Sequence, residues 1–178
     1  MRYKLILLFT LGAFSLKAQI AEVNVAQIAL INPNSKSAGL LLNENSEKCI
    51  RILGHPDAIS NVYSEIDEDT MKMYKYGQNE LYFLQGKLTG YEIKNSSIWV
   101  GEVNGQIFKI GDRLTSRSAR PANFQGLIIN RYAGESRNMS FAFASINEIK
   151  NGNNYLDSYF ELLFDSQGML FSICKGDK

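Results

Sequence analysis

Short apolar segments separated by glycine turns form the clearest pattern in the chain. The central ones lie at 72–76, 80–84 and 87–93, with Gly77 and Gly86 in the turns between them. Apolar and polar residues that alternate between glycine turns are typical of antiparallel strands. The pattern therefore predicts a three-stranded meander. Two further short strands are predicted after it, at 98–100 and 106–110.

The second half of the chain carries a weaker version of the same pattern. Strands are predicted at 126–132 and 139–144, and a C-terminal hairpin is predicted from 158–164 and 169–174. The intervening stretch 147–154 holds several asparagines and a glycine, so we expect it to be a loop.

Two hairpins in the sequence resemble each other. Residues 80–93 and 160–173 both show an acidic, aromatic strand, a glycine turn and an outgoing strand that contains isoleucine. An internal duplication with halves at 40–110 and 111–178 is therefore a hypothesis.

A helix is predicted near residue 50. Asn45 or Ser46 can cap its N-terminus, and Gly54 ends it. Its inward-facing residues are predicted to be Ile50, Leu53 and Cys49. A loosely alternating run at 20–31 predicts an N-terminal strand. Together these elements predict an α+β fold, in which an antiparallel sheet packs with a few short helices.

The first residues have the order of a secretory signal peptide. Arg2 and Lys4 precede an apolar run at 5–14, and Ala18 offers a small residue at the expected cut. The run is shorter than the roughly 20 residues needed to span a bilayer. We therefore expect residues 1–18 to be a signal peptide and 19–178 to be one periplasmic or secreted domain without a membrane anchor.

Charge argues against nucleic acid as a partner. The whole chain has 19 basic and 18 acidic residues, and removal of the leader's three basic residues leaves 16 against 18, a charge of −2. Nucleic-acid-binding proteins present a concentrated basic face. The local candidate here is Arg113, Arg117 and Arg120, and the pattern favours a solvated loop or helix edge for these arginines.

The chain has two cysteines, and export permits them to form a disulfide. Cys49 and Cys174 would close a loop over most of the mature chain, which would stabilise it by about 4 to 5 kcal/mol in the chain-entropy model. The alternative is a pair of buried free thiols. The sequence leaves both possibilities open.

Catalytic motifs are weak in this sequence. His55 is the single histidine, so any serine or cysteine nucleophile that uses imidazole as its base depends on it. The chain has no Gly-x-Ser-x-Gly elbow, and the acidic stretch 65–69 lacks the central glycine of a calcium loop. We therefore assign no catalytic residue, no metal ligand and no cofactor.

Aromatic residues give the stronger indication of a binding site. Five of them lie on or near the predicted meander, and they are Tyr74, Tyr76, Tyr82, Tyr91 and Trp99. Tyrosine and tryptophan provide large, rigid contact areas with a polar tip, so these residues are candidate binding residues. The alternative is that other elements cover this face and the aromatics belong to the core.

Residues 45–112 resemble one known type of domain. The first shared features are a short helix that ends in Gly-x-Pro, here Gly54-His55-Pro56, and a Tyr-x-Tyr-Gly strand, here Tyr74-Lys75-Tyr76-Gly77. A glycine-turn hairpin follows at 81–88, and Ile110-Gly111-Asp112 is similar to the Val-Gly-Asp that opens the next unit. This pattern is similar to small-outer-membrane-lipoprotein and β-lactamase-inhibitor-protein-like domains. The chain departs from them in two respects, since it has no lipid-accepting cysteine after the leader and no second Gly-x-Pro.

The resemblance implies a helix-plus-sheet module that binds other proteins through the open face of its sheet and has no catalytic residues. We therefore expect an exported, non-enzymatic module that binds another envelope or secreted protein, as a scaffold, an inhibitor or an immunity-type factor. A secreted hydrolase without a recognisable catalytic motif is the alternative.

Overall fold

A computed structural model describes residues 22–24, 26–103, 105–114, 130–136 and 139–177. The expected signal peptide at 1–18 lies outside these residues, as do Arg117, Arg120 and the predicted strand residues 126–129.

The described residues form thirteen strands and one helix. In chain order they are β1 (Glu22–Asn24), β2 (Ala29–Asn32), β3 (Ser35–Leu41), α1 (Ser46–Leu53), β4 (Ala58–Ser64), β5 (Asp69–Tyr76), β6 (Asn79–Leu84), β7 (Lys87–Ile93), β8 (Trp99–Gly101), β9 (Ile107–Phe108), β10 (Asn130–Ser136), β11 (Met139–Asn151), β12 (Asn154–Phe164) and β13 (Leu170–Asp177).

The strands form two sheets. The large sheet has nine strands in the order β1-β11-β12-β13-β7-β6-β5-β4, with β10 also paired to β11. The small sheet has four strands in the order β3-β2-β8-β9. β1 runs parallel to β11, and all other strand pairs are antiparallel. β4 is therefore the last strand at one edge of the large sheet.

The two sheets share one hydrophobic core. Leu30 and Val100 of the small sheet belong to the same cluster as Leu81 of the large sheet. The Phe108 ring of β9 lies 5.9 Å from the Phe160 ring of β12, so aromatic side chains of the two sheets meet. The inner face of the large sheet is the face turned toward this core.

Helix α1 confirms the prediction from its capping residues. The Asn45 side chain accepts a hydrogen bond of 2.8 Å from the Lys48 N–H, which satisfies a backbone donor that the helix leaves free. Gly54 has φ 88° and donates its N–H to the Ile50 carbonyl over 2.9 Å. This conformation favours glycine, so the helix stops there. No described helix is both long and apolar enough to cross a bilayer.

The predicted α+β class is wrong, because the fold is predominantly β with a single short helix among the described residues. Among the described residues, 46–53 combine a helical apolar period with signals at both ends. The alternating segments in the other described ranges form strands.

The predicted loop at 147–154 is also wrong. β11 and β12 extend through this stretch and leave only Gly152 and its neighbour outside the strands. Asn147 lies buried in β11, where its amide donates to the Phe160 carbonyl over 3.2 Å and to the Ser145 hydroxyl over 3.1 Å. An asparagine with satisfied polar groups is tolerated inside a sheet.

The meander and the C-terminal hairpin are confirmed as β5-β6-β7 and β12-β13. The two similar hairpins lie side by side, since β7 pairs with β13 and places Ile93 opposite Ile173. The duplication of halves 40–110 and 111–178 stays a prediction.

Candidate functional site

Three of the five candidate binding aromatics lie in the core. Tyr74 is 7% exposed, Tyr76 9% and Tyr91 3%. The Tyr74 ring lies 4.7 Å from the Phe83 ring on the next strand. These three side chains therefore occupy the covered face of the large sheet, which is the alternative that the sequence left open for them.

Helix α1 contacts the inner face of the large sheet through Tyr76. The Tyr76 hydroxyl donates to the Gly54 carbonyl over 3.0 Å and lies 3.4 Å from the Cys49 Sγ. Burial raises the pKa of the Tyr76 phenol above its ordinary value, and the contact with Cys49 raises it further. Tyr76 therefore ties the helix C-terminus to β5 through a neutral phenol.

The remaining two aromatics lie elsewhere. Tyr82 is half-buried on the outer face of the large sheet, where its hydroxyl donates to Glu80 Oε2 over 2.8 Å. Trp99 belongs to the small sheet, and the Lys109 Nζ lies 4.2 Å from the centre of its ring. The five aromatics therefore do not form one contact surface.

The two cysteines are separate, buried free thiols. Cys49 contacts Tyr76, whereas the Cys174 Sγ donates to Glu161 Oε2 over 3.2 Å. Burial raises the pKa of the Cys49 thiol. A nucleophilic cysteine needs the opposite shift, toward thiolate, and needs access to solvent. His55, the candidate base, is exposed beyond the end of α1.

The outer face of the large sheet carries a row of ionisable residues on neighbouring strands. In register across the sheet they are Lys75, Glu80, Glu92, Cys174 and Glu161. Two lysines offset the carboxylates, with 3.7 Å between Lys75 Nζ and Glu80 Oε1 and 3.0 Å between Lys94 Nζ and Glu92 Oε1. Across the described ranges, no group of three or more His, Cys, Asp or Glu side chains is arranged to hold a metal ion.

Strand β4, which the sequence did not predict, offers a different kind of site. It pairs on one side with β5 over seven consecutive residues, from Ala58 opposite Lys75 to Ser64 opposite Asp69. No strand within the described ranges pairs with its other side. Such an edge presents a row of backbone donors and acceptors for a further strand.

The register shows which backbone groups of β4 face outward. Tyr76 and Asn79 flank the two-residue turn between β5 and β6, so they form a hydrogen-bonded pair. Because hydrogen bonding alternates along an antiparallel strand, Lys75 and every second residue before it bond to β4. Their partners in β4 are Ala58 and every second residue after it. The N–H and C=O groups of the alternate residues, which are Ile59, Asn61 and Tyr63, therefore point to the open edge.

The open edge carries exposed apolar side chains. Ile59 is 54% exposed and Tyr63 is 62% exposed, and their spacing of four residues puts both on the inner-face side of the sheet. Ile66, in the turn that follows, is also exposed. Backbone donors and apolar side chains together are the features to which another polypeptide can add as a strand.

The turn beside the edge is acidic and held in place. Its four carboxylate residues are Glu65, Asp67, Glu68 and Asp69. The Ser64 hydroxyl donates to Asp67 Oδ2 over 2.7 Å and accepts the Asp67 N–H over 3.1 Å. The negative charge therefore stays at the C-terminal end of β4.

Comparison of the chain with protein-family models, curated proteins and solved structures found no match. The β4 edge is thus identified by its geometry alone. The signal in the sequence is slight: two large apolar residues, Ile59 and Tyr63, separated by an even number of positions and followed by an acidic turn.

Proposed function

We propose that this chain is an exported, non-enzymatic protein-binding module, and that its binding element is the β4 edge. The observation that carries the proposal is the open side of β4, where three residues direct backbone groups outward and two of them add exposed apolar side chains. Addition of a strand to a sheet edge takes its affinity from backbone hydrogen bonds and its specificity from alternate side chains.

The edge defines the chemistry of its partner. A matching segment is extended, presents apolar side chains toward Ile59 and Tyr63, and places a basic residue near the acidic turn at 65–69. Such a segment is found in an unfolded tail or at the edge of another sheet.

The compartment follows from the leader sequence at 1–18, which supports export to the periplasm or beyond. The partner is accordingly another envelope or secreted protein, and the module acts as a scaffold, an inhibitor or an immunity-type factor. The acidic mature chain and its paired lysines support a protein partner over nucleic acid.

Capture with mild crosslinking tests the proposal. The tagged chain is exposed to the envelope fraction and culture supernatant of its source cell, beside the variants Asn61→Pro and Tyr155→Ser. The N–H of residue 61 points to the open edge, so proline at this position removes an outward donor and leaves the hydrogen bonds to β5 intact. Edge strands tolerate proline at such positions. Tyr155 is 55% exposed on β12, far along the sheet order from β4, so its variant is the matched control.

A stoichiometric protein that wild type and Tyr155→Ser capture, and that Asn61→Pro loses, is the expected result. Equal capture by all three chains would move the binding site away from β4. Capture of nothing above the tag control by any chain, neither a different protein nor an untagged copy of this one, would contradict the proposal.

A further inference from the structure

The β4 edge lacks the features that natural sheets use to keep an open edge unpaired. Those features are lysine or proline in the strand, a β-bulge, or a very short strand. The β4 sequence, Ala-Ile-Ser-Asn-Val-Tyr-Ser, contains neither a charged residue nor proline. Its seven residues pair with β5 in one unbroken register. An edge of this kind pairs readily with another strand of matching pattern.

The strand that matches β4 is β4 itself. We propose that a second copy of this chain occupies the edge, with the two β4 strands antiparallel around a two-fold axis at Asn61. This inference rests on the proposed function, because it keeps β4 as the binding element and takes a second copy of the exported chain as the protein that binds there. A self-complementary interface of this kind closes as a dimer.

Backbone geometry supports this register. With Asn61 opposite the partner's Asn61, Ile59 lies opposite the partner's Tyr63, and Tyr63 opposite the partner's Ile59. All three are the residues whose N–H and C=O groups point outward. Each outward group therefore meets an outward group of the second copy, as in a hydrogen-bonded antiparallel pair.

Side chains support the same register. Residues opposite each other in an antiparallel pair share a face, so the register places the exposed Ile59 against the exposed Tyr63 of the partner subunit, twice. A β-branched residue opposite an aromatic one is a favourable cross-strand pair. Formation of the dimer therefore covers the large apolar side chains of both edges.

Charge favours the antiparallel arrangement over the parallel one. Asp69 lies opposite Ser64 at the acidic end of the hairpin, and Lys75 lies opposite Ala58 at the other end. Antiparallel pairing puts Ser64 next to the partner's Ala58, so the acidic turns of the two copies lie at opposite ends of the paired strands. Parallel pairing would instead bring the two acidic turns together.

Analytical ultracentrifugation of the purified chain tests the inference over a range of concentrations. We expect wild type and Tyr155→Ser to shift from one chain mass to two as concentration rises. We expect Asn61→Pro to remain at one chain mass with an unchanged far-UV circular dichroism spectrum. A wild-type chain that stays monomeric throughout overturns the inference.

Crosslinking tests the register without a proline. The two-fold axis places residue 61 beside its own copy, with about 5.5 Å between Cα atoms. Residue 64 lies opposite residue 58 of the second copy. The Cα atoms of the two residues 64 are therefore about 20 Å apart along the strands. A short bismaleimide reagent should therefore link Asn61→Cys to itself and leave Ser64→Cys as a monomer. Wild type controls for Cys49 and Cys174, which are buried.

The outcomes separate this inference from the proposed function. A dimer that survives in Asn61→Pro, or that links equally through residues 61 and 64, overturns the inferred interface. A monomeric chain whose capture of a different protein depends on Asn61 overturns the second copy as partner but leaves β4 as the binding element. A monomeric chain whose captures are insensitive to Asn61 contradicts both.

Discussion

Tyr74 and Ile59 lie directly opposite each other on neighbouring strands and share one face of the same sheet. Tyr74 is 7% exposed and contacts Phe83, whereas Ile59 is 54% exposed. The cover over this face explains the difference. Helix α1 reaches β5 through the contacts of Tyr76 with Cys49 and Gly54, and β4 lies one strand beyond. Alternation therefore fixes which side a residue faces, but the cover decides whether it is core or contact surface.

The covered strands and the uncovered strand β4 have different roles. The covered strands hold the fold together through buried aromatic and aliphatic contacts. The uncovered strand β4 pairs with β5 on one side, and no described strand pairs with its other side. Its exposed residues contribute little to stability in the single chain, so they are available for binding.

The largest effect should come from truncating the covered face. Phe83 is fully buried against Tyr74, so Phe83→Ala should lower the free energy of unfolding by about 3 to 5 kcal/mol. Tyr63→Ala removes a ring of similar size from the edge and is the matched control. Urea unfolding of both variants measures the contrast, and equal losses would contradict the difference between the two strands.

Asn79 should give the next largest loss. Its buried side chain accepts the N–H of Lys94 over 2.8 Å and that of Asn95 over 3.0 Å. Asn79→Ala leaves these donors without their acceptor, which should cost roughly 2 to 4 kcal/mol. The exposed Asn61→Ala is the matched control, measured by the same urea unfolding. A loss for Asn79→Ala no larger than that of the control would refute this role.

Alkaline pH should weaken the covered region selectively. Burial raises the pKa values of Cys49, Tyr76 and Tyr91 above their ordinary values of 9.0 for the thiol and 10.0 for the phenols. The folded chain then keeps protons that the unfolded chain loses. Stability should be flat below about pH 9 and fall above it, by at most about 1.4 kcal/mol per pH unit for each group.

The urea midpoint measured from neutral to alkaline pH checks this expectation. Tyr91→Phe should reduce the slope above about pH 10, because it removes one of the buried phenols whose pKa is raised. A stability that rises with pH in this range would reverse the predicted sign.

The smallest effect on stability belongs to the edge. Ile59→Ser should change the free energy of unfolding of the dilute chain by within about 0.5 kcal/mol, because the side chain is mostly exposed. The same variant should weaken concentration-dependent association in the ultracentrifuge. A loss of several kcal/mol in the dilute chain would place Ile59 in the core.

Local signals in the sequence were sufficient for several elements. The Asn45 cap and Gly54 defined α1, and glycine turns defined the meander and the C-terminal hairpin. Each of these signals acts within a few residues, so it does not depend on the rest of the fold. The fold class was wrong because it assumed several short helices, whereas the described residues hold one helix and thirteen strands.

The candidate site depends on information that the sequence does not carry locally. β4 is defined by its pairing with β5, and its openness by the absence of a neighbouring strand in the described ranges. Tyr74 and Tyr63 alternate in the same way, but only one of them is covered. Asn147 resembled a loop residue in the sequence. In the fold its amide donates to Ser145 and to the Phe160 carbonyl of the neighbouring strand, and the latter partner is thirteen residues away in the chain.

Amide hydrogen exchange, measured by NMR on dilute and concentrated samples of the chain, reports whether the outward side of β4 is open or paired. We expect the amides of Ile59, Asn61 and Tyr63 to exchange rapidly in the dilute sample and slowly in the concentrated one. The intervening Ser60 and Val62 amides, already bonded to β5, should be protected in both samples. Equal, rapid exchange of the three outward amides at both concentrations and with the captured protein present would contradict a binding role for the β4 edge.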